Sequence, residues 1–286
     1  MSPHLGANRY GKDGIRLVLV RRGAAEDDAH DLRDLTVDVR LEGDFDAVHT
    51  DGDNSAVLPT DTMRSTVYAL AQQHLTGSIE QFGAALTERF LDASPAADTA
   101  EVGLREHAWS RAEGAGRPHP HAFVGGSAEN STATVTRTRS DGLDVRSGIA
   151  GLTVLKTRGS AFSGFLRDEY TVLAETDDRI LATEVSAEWS YGAGAEPAYD
   201  DIRATARAAL VTTFSEHDSE SVQHTLYAMG AAVLAGCAAV SRVGLRMPNK
   251  HHVPVDLAAL GIANDRAVYV ATDRPFGVIE AEVLRD

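Results

Sequence analysis

Leu35, Val37, Val39 and Leu41 alternate with Thr36, Asp38, Arg40 and Glu42 along the chain. Side chains two apart leave a strand on the same face, so this stretch predicts a half-buried strand. The run IRLVLV at 15–20 predicts its partner. The period then changes. Met63, Val67, Leu70 and Ala71 recur at helical spacing, which predicts a helix that buries this stripe. Ser78 with Gln81 three residues on is a capping-box pattern, opening a second helix with Ile79, Phe82, Leu86 and Phe90 inward. Strand-like text follows at 102–112 and 131–140.

The same order returns after residue 145. GIAGLTVLKT and ILATEVSAEW read as strands. Ile202, Ala206, Ala209, Leu210, Thr213 and Phe214 share one helical face, and Val222, Leu226, Met229 and Val233 another. The tail FGVIEAEVL alternates Ile279, Ala281 and Val283 with Glu280 and Glu282. Each half therefore reads strand, strand, helix, helix, strand, strand. That order predicts an α+β fold in which an antiparallel four-stranded sheet carries two helices, present twice, over 1–144 and 145–286. Such sheets have open edges, so a homo-oligomer is expected.

Composition narrows the function. With 27 basic against 42 acidic residues the net charge is −15, which disfavours nucleic-acid partners. No apolar run is long enough for a membrane span, and MSPHLGANRYGKDG lacks the apolar core of a secretory signal. The single cysteine, Cys237, lies in MGAAVLAGCAAV and reads as a small buried hydrophobe; a cytoplasmic address fits.

Phosphate-loop, dinucleotide, zinc-protease and nucleophile-elbow motifs are all absent. Two histidine pairs are the metal candidates. His119-Pro120-His121 lies in GAGRPHPHAF, read as a Gly/Pro-rich surface loop, and His251-His252 lies in MPNKHHVPVD.

The chain resembles urate oxidase (uricase) of the bacterial type. The resemblance runs nearly end to end. It is carried by NRYGKDGIRL, LEGDFDAVHTDGDNSAVLPTDTMRSTVYAL, GLTVLKTRGSAFSGFLRDEYTVLAETDDRILATEVSAEW, SVQHTLYAMG, MPNKHHVPVDL and ATDRPFGVIEAEV. RTRSDGLDV, 101–123 and YGAGAEPAYDD match more loosely. The resemblance implies two tandem T-fold domains, a homotetramer around a tunnel and active sites at subunit interfaces. It implies oxidation of urate by O2 to 5-hydroxyisourate and hydrogen peroxide, with no cofactor and no metal.

Residue by residue, the resemblance makes Lys12, Thr60 and His251 a proton relay, with Asp61 in the same pocket. It makes Phe162 the ring under the substrate, and Arg179 and Gln223 the clamp on the purine. Val222 contributes a backbone contact, Leu173 a pocket wall and Asn249 a hydrogen bond near the oxygen site. Chemistry agrees with these residue types. A planar purine suits an aromatic face, and a planar, always-charged guanidinium suits an anionic heterocycle. A glutamine can both donate and accept along a purine edge. A lysine is a cation until about pH 10.4, but burial can make it a base. A threonine hydroxyl can pass a proton and an imidazole can complete the chain. Thr60, after Pro59, could equally be the N-cap of the helix that follows.

Two rival readings remain. A cyclohydrolase-like T-fold enzyme would want a zinc site or a catalytic cysteine, and Cys237 is far in sequence from the histidines. A non-catalytic purine binder would need the clamp but not Lys12.

Overall fold

A computed structural model describes residues 3–23, 25, 28–114, 116–195, 197–272 and 274–286. Met1, Ser2, Ala115, Glu196 and Asp273, each inside a stretch singled out above, lie outside the described residues. The chain divides into two compact units, Met1–Gly148 and Ile149–Asp286.

In the first unit, β1 (Arg9–Arg21) pairs antiparallel with β2 (Asp31–Gly43). Strands β3 (Ala97–Gly114) and β4 (Arg117–Thr138) continue the sheet in the order β1-β2-β3-β4. Between β2 and β3 come a short helix α1 (Asp46–Thr50), then α2 (Thr60–His74) and α3 (Ile79–Ala93). The apolar face of β2 is fully covered: Leu35, Val37, Val39 and Leu41 join Met63, Val67, Ile79, Phe82, Leu86 and Phe90 in one core. Ser78 and Gln81 form the reciprocal capping box at the start of α3.

The second unit repeats the plan. Its sheet runs β5 (Gly142–Lys156), β6 (Leu181–Tyr191), β7 (Val240–Pro248), β10 (Val278–Leu284); β5 crosses the divide between the units. Helices α4 (Tyr199–Glu216) and α5 (Val222–Gly236) bring Ala206, Leu210, Phe214, Leu226, Met229 and Val233 against Trp189, Val243 and Leu245. Helices α3 and α5 each lie close to their sheet at a glycine. A Cβ on Gly83 would meet Val135 at 2.6 Å, and one on Gly230 would meet Val283 at 2.6 Å. The chain thus has two α+β units with antiparallel strand pairs, as the alternating and helical periods predict.

The structure corrects the reading of 114–123. His119 and His121 are not on a loop: they lie on β4, after a turn in which Gly116 has φ +77°. Pro118 pairs with Glu113 and the Pro120 carbonyl accepts from the His30 N–H. The prolines hid the strand because Pro cannot donate to a ladder. A short pair, β8 (His252–Pro254) with β9 (Tyr269–Ala271), also emerges between β7 and β10, too brief to leave a periodic signal. No helix among the described residues is long and apolar enough to cross a membrane.

Packing and cap should separate in unfolding experiments. Phe82→Ala is expected to cost about 3–5 kcal/mol and Ser78→Ala about 1 kcal/mol, read as shifts in urea midpoint. Equal losses would show that α3 depends on its cap as much as on its buried face.

Candidate active site

The predicted site residues fall into two groups, one in each unit. In the first unit, Lys12 lies on β1 where the pairing slips: Lys12 faces Val39, and the next aligned pair is Ile15 with Val37. The preceding Gly11 has a steric reason. A Cβ there would come 1.8 Å from the Val39 carbonyl oxygen, so a larger residue would force the strands apart. Tyr10 then anchors the strand. Its ring meets Phe45 edge-on at 4.8 Å, and its hydroxyl accepts from the Leu58 N–H at 3.0 Å. Burial raises the Tyr10 phenol above its ordinary pKa, which keeps it neutral. This contact ties the strand carrying Lys12 to the segment that leads into Thr60.

Thr60 is the first residue of α2, not its N-cap. Pro59 takes the cap position, and no side chain caps the helix. A proline's fixed φ suits that extended position, and the Thr60 hydroxyl is spared from capping. Asp61 is exposed and pairs with Arg64 at 2.6 Å.

In the second unit, three segments are laced together by backbone hydrogen bonds beyond the end of β5. Ser219 N–H donates to Gly159 O at 3.0 Å, and Ala161 N–H donates to Ser219 O at 2.7 Å. On the other side, Phe162 and Thr176 exchange both bonds at 2.8 and 3.0 Å, and Arg179 N–H donates to Ser160 O at 2.8 Å. The Asp178 carboxylate accepts from Gly159 N–H at 3.0 Å. Phe162, Arg179 and the lead into α5 are therefore placed by one small ladder.

The side chains use that placement. The Arg179 guanidinium carbon lies 5.3 Å from the centre of the Phe162 ring. Its Nε is buried with no hydrogen-bond partner among the described residues. Burial lowers the Arg179 pKa from its ordinary value, but arginine stays cationic. Ser221 caps α5 by accepting from His224 N–H at 3.1 Å. Val222, buried, and Gln223, exposed, are the first helical residues. First-turn N–H groups lack intrahelical acceptors, and the helix dipole is positive there, so this end suits an anion.

Asn249 is nearly buried at the end of β7, its N–H donating to Gly277 O at 2.8 Å. Lys250 donates to Ala182 O through its N–H at 2.9 Å and to Glu184 through Nζ at 2.9 Å. His251 is half-buried, and its carbonyl accepts from Thr272 N–H at 2.9 Å. His252 Nδ1 lies 3.0 Å from Lys250 O. Ala182 is three residues beyond Arg179, so the start of β6 links Arg179 to the Asn249–His251 segment.

Leu173 does not close a pocket within its own unit. It is 55% exposed, near Leu166 and Val172 at 96% and 97%. Two neighbours were not singled out from the sequence: Phe165, stacked on Phe162 at 4.9 Å, and Arg167, whose guanidinium carbon is 5.0 Å from the centre of the Phe165 ring. Both lie in GFLRDEY, where composition alone says only loop. Among the described residues, no group of three His, Cys, Asp or Glu side chains could hold a metal ion. Cys237 is buried, and burial pushes its thiol pKa up.

The Uricase family model matches residues 8–136 and 145–280. The chain belongs to the uricase family. A curated uricase from Arthrobacter globiformis is 41% identical over 99% of this chain and 90% of its own length. That of Aspergillus flavus is 37% identical over 98% of this chain and 96% of its own. The crystal structure of the Arthrobacter globiformis uricase superposes with a TM-score of 0.93 at 40% identity, covering 100% of this chain and 96% of that one. A Bacillus sp. TB-90 urate oxidase shares the fold with a TM-score of 0.84 at 22% identity. Both helical hairpins and both sheets of this chain are therefore family features.

The cap of α5 carries a local prediction. Ser221→Ala should lower stability by about 1 kcal/mol and speed hydrogen exchange at the His224 amide above all. Unchanged exchange there would show that the Ser221 side chain does not hold this helix end.

Proposed function

We propose that the chain oxidises urate with O2 and water to 5-hydroxyisourate and hydrogen peroxide, without a metal or organic cofactor. The observation that carries this reading is the Arg179 guanidinium over the Phe162 ring, with a buried Nε that has no partner among the described residues, joined through the Gly159–Phe162 ladder to the start of α5. Family membership supplies the chemistry. A flat anion stacked on Phe162 meets the Arg179 fork in its plane. Val222 N–H donates to its edge and Gln223 reads a donor–acceptor pair there. Asp61 lines the pocket next to Thr60, Leu173 forms a wall, and Asn249 with Thr60 holds O2 or water above the ring.

Two electrons leave the urate anion for O2, and water adds to the ring carbon so oxidised. The protein's task is to remove protons and deliver them to the reduced oxygen. Lys12, through Thr60, takes them, and His251 completes the relay. The reading also assigns a homotetramer with active sites at subunit interfaces. The exposed Leu166, Tyr170, Val172 and Leu173 support it, because side chains this apolar are covered in an assembly. A cytoplasmic location accords with the single buried thiol.

The decisive assay follows urate absorbance in air-saturated buffer with a chelator present and peroxide measured in parallel. Urate loss with matching peroxide is expected. Folded, oligomeric protein that binds urate without consuming O2 would make the chain a binder. Lys12→Met should lower kcat by about 100-fold or more, within the range of lost acid–base catalysis, with urate affinity little changed. Wild-type turnover in that variant would remove Lys12 from the relay.

A further inference from the structure

One histidine pair is not used by the relay. His217 ends α4, and His224 lies in the first turn of α5, immediately after Gln223. Their rings meet edge to face with centroids 4.3 Å apart. His217 Nε2 is buried and has no hydrogen-bond partner among the described residues. The residue is otherwise held from outside its ring: Lys156 Nζ donates to its carbonyl, and that ammonium also lies 5.6 Å from the Phe214 ring centre. Two residues on, Ser219 makes the ladder bonds to Gly159 and Ala161 that place Phe162 and Arg179. The His217–His224 contact therefore closes the turn that links the ladder to Val222 and Gln223.

We propose that His217 is a positioning residue for the purine clamp: packed on His224 it holds the turn between α4 and α5, and it loosens that turn on taking up a proton. The inference rests on the urate reading of this site. The chemistry is direct. An imidazolium carries a donor on both nitrogens, and Nε2 has no acceptor among the described residues. The charges around it mostly oppose protonation. Lys156 from β5 and His224 from α5 disfavour the cation, and Asp218 alone in the turn favours it. Asp178, across the ladder, is engaged by Gly159 N–H, and Glu216 and Glu220 are exposed. Burial is the largest effect and, with His224 and Lys156, lowers the His217 pKa below the ordinary imidazole value. Its neutral form is therefore the native one. The strain of charging it arrives only as pH falls below the usual imidazole range, about 6.5.

The test is steady-state urate turnover between about pH 5.5 and 8.5, the range bracketing imidazole titration, for wild type, His217→Asn and His224→Gln. Any ionisation elsewhere in the site or in the substrate is common to all three. Wild-type KM is expected to rise on acidification, by at most about tenfold per pH unit for one linked proton, with kcat changing less. His217→Asn should flatten that rise. His224→Gln should move it to higher pH, because a neighbour that opposes protonation is gone. Superimposable KM profiles would overturn the proposal whatever stability is lost. If His217→Asn does not fold, the direction of the His224→Gln shift decides. Wild type that fails to turn over urate at any pH would instead remove the urate reading, and this inference with it.

Discussion

The site of the second unit depends on the backbone ladder around Gly159–Phe162. Its bonds reach Ser219 on one side and Thr176 and Arg179 on the other. Each is worth about 0.5–1.5 kcal/mol net, and breaking one leaves a buried group unsatisfied. Because the ladder is made of main chain, the Phe162 and Arg179 side chains do not have to hold themselves in place. Arg179 can leave its Nε without a partner among the described residues, and Phe162 can present a face, while the peptide groups fix where both point.

The first unit solves the same problem with one side chain. Tyr10 is placed by Phe45 and bonds the backbone just ahead of Thr60. Lys12 and Thr60 come from a strand and a helix far apart in sequence, yet this contact couples their supports. Gly11 contributes by absence, letting the Val39 carbonyl pass where a side chain would stand.

A chain of net charge −15 that takes an anionic substrate must create a local exception to its own field. Screening confines the distant acidic residues to about 8–10 Å of influence at physiological salt. In the proposed reading, Arg179 and the N-terminus of α5 act inside that range, in a partly buried setting where their attraction is screened less. The same setting makes an added cation expensive, which is why His217 is held neutral beside Lys156.

Much of the architecture was legible from periodicity. Alternation in 35–41, the helical stripes and the Ser78–Gln81 cap all report burial and hydrogen bonding between near neighbours, which local spacing encodes. The family motifs marked the candidate residues, and the family match shows which family the chain belongs to. Other features were beyond the sequence. Prolines concealed the start of β4, Pro59 rather than Thr60 took the cap, and Leu173 stayed exposed. The ladder that places Phe162 and Arg179, the Tyr10–Leu58 bond and the His217–His224 contact were decided only by the tertiary structure. Most of these join segments dozens of residues apart or set two rings in register. Their cause is the meeting of main-chain groups and side chains in space, and no period along the chain records it.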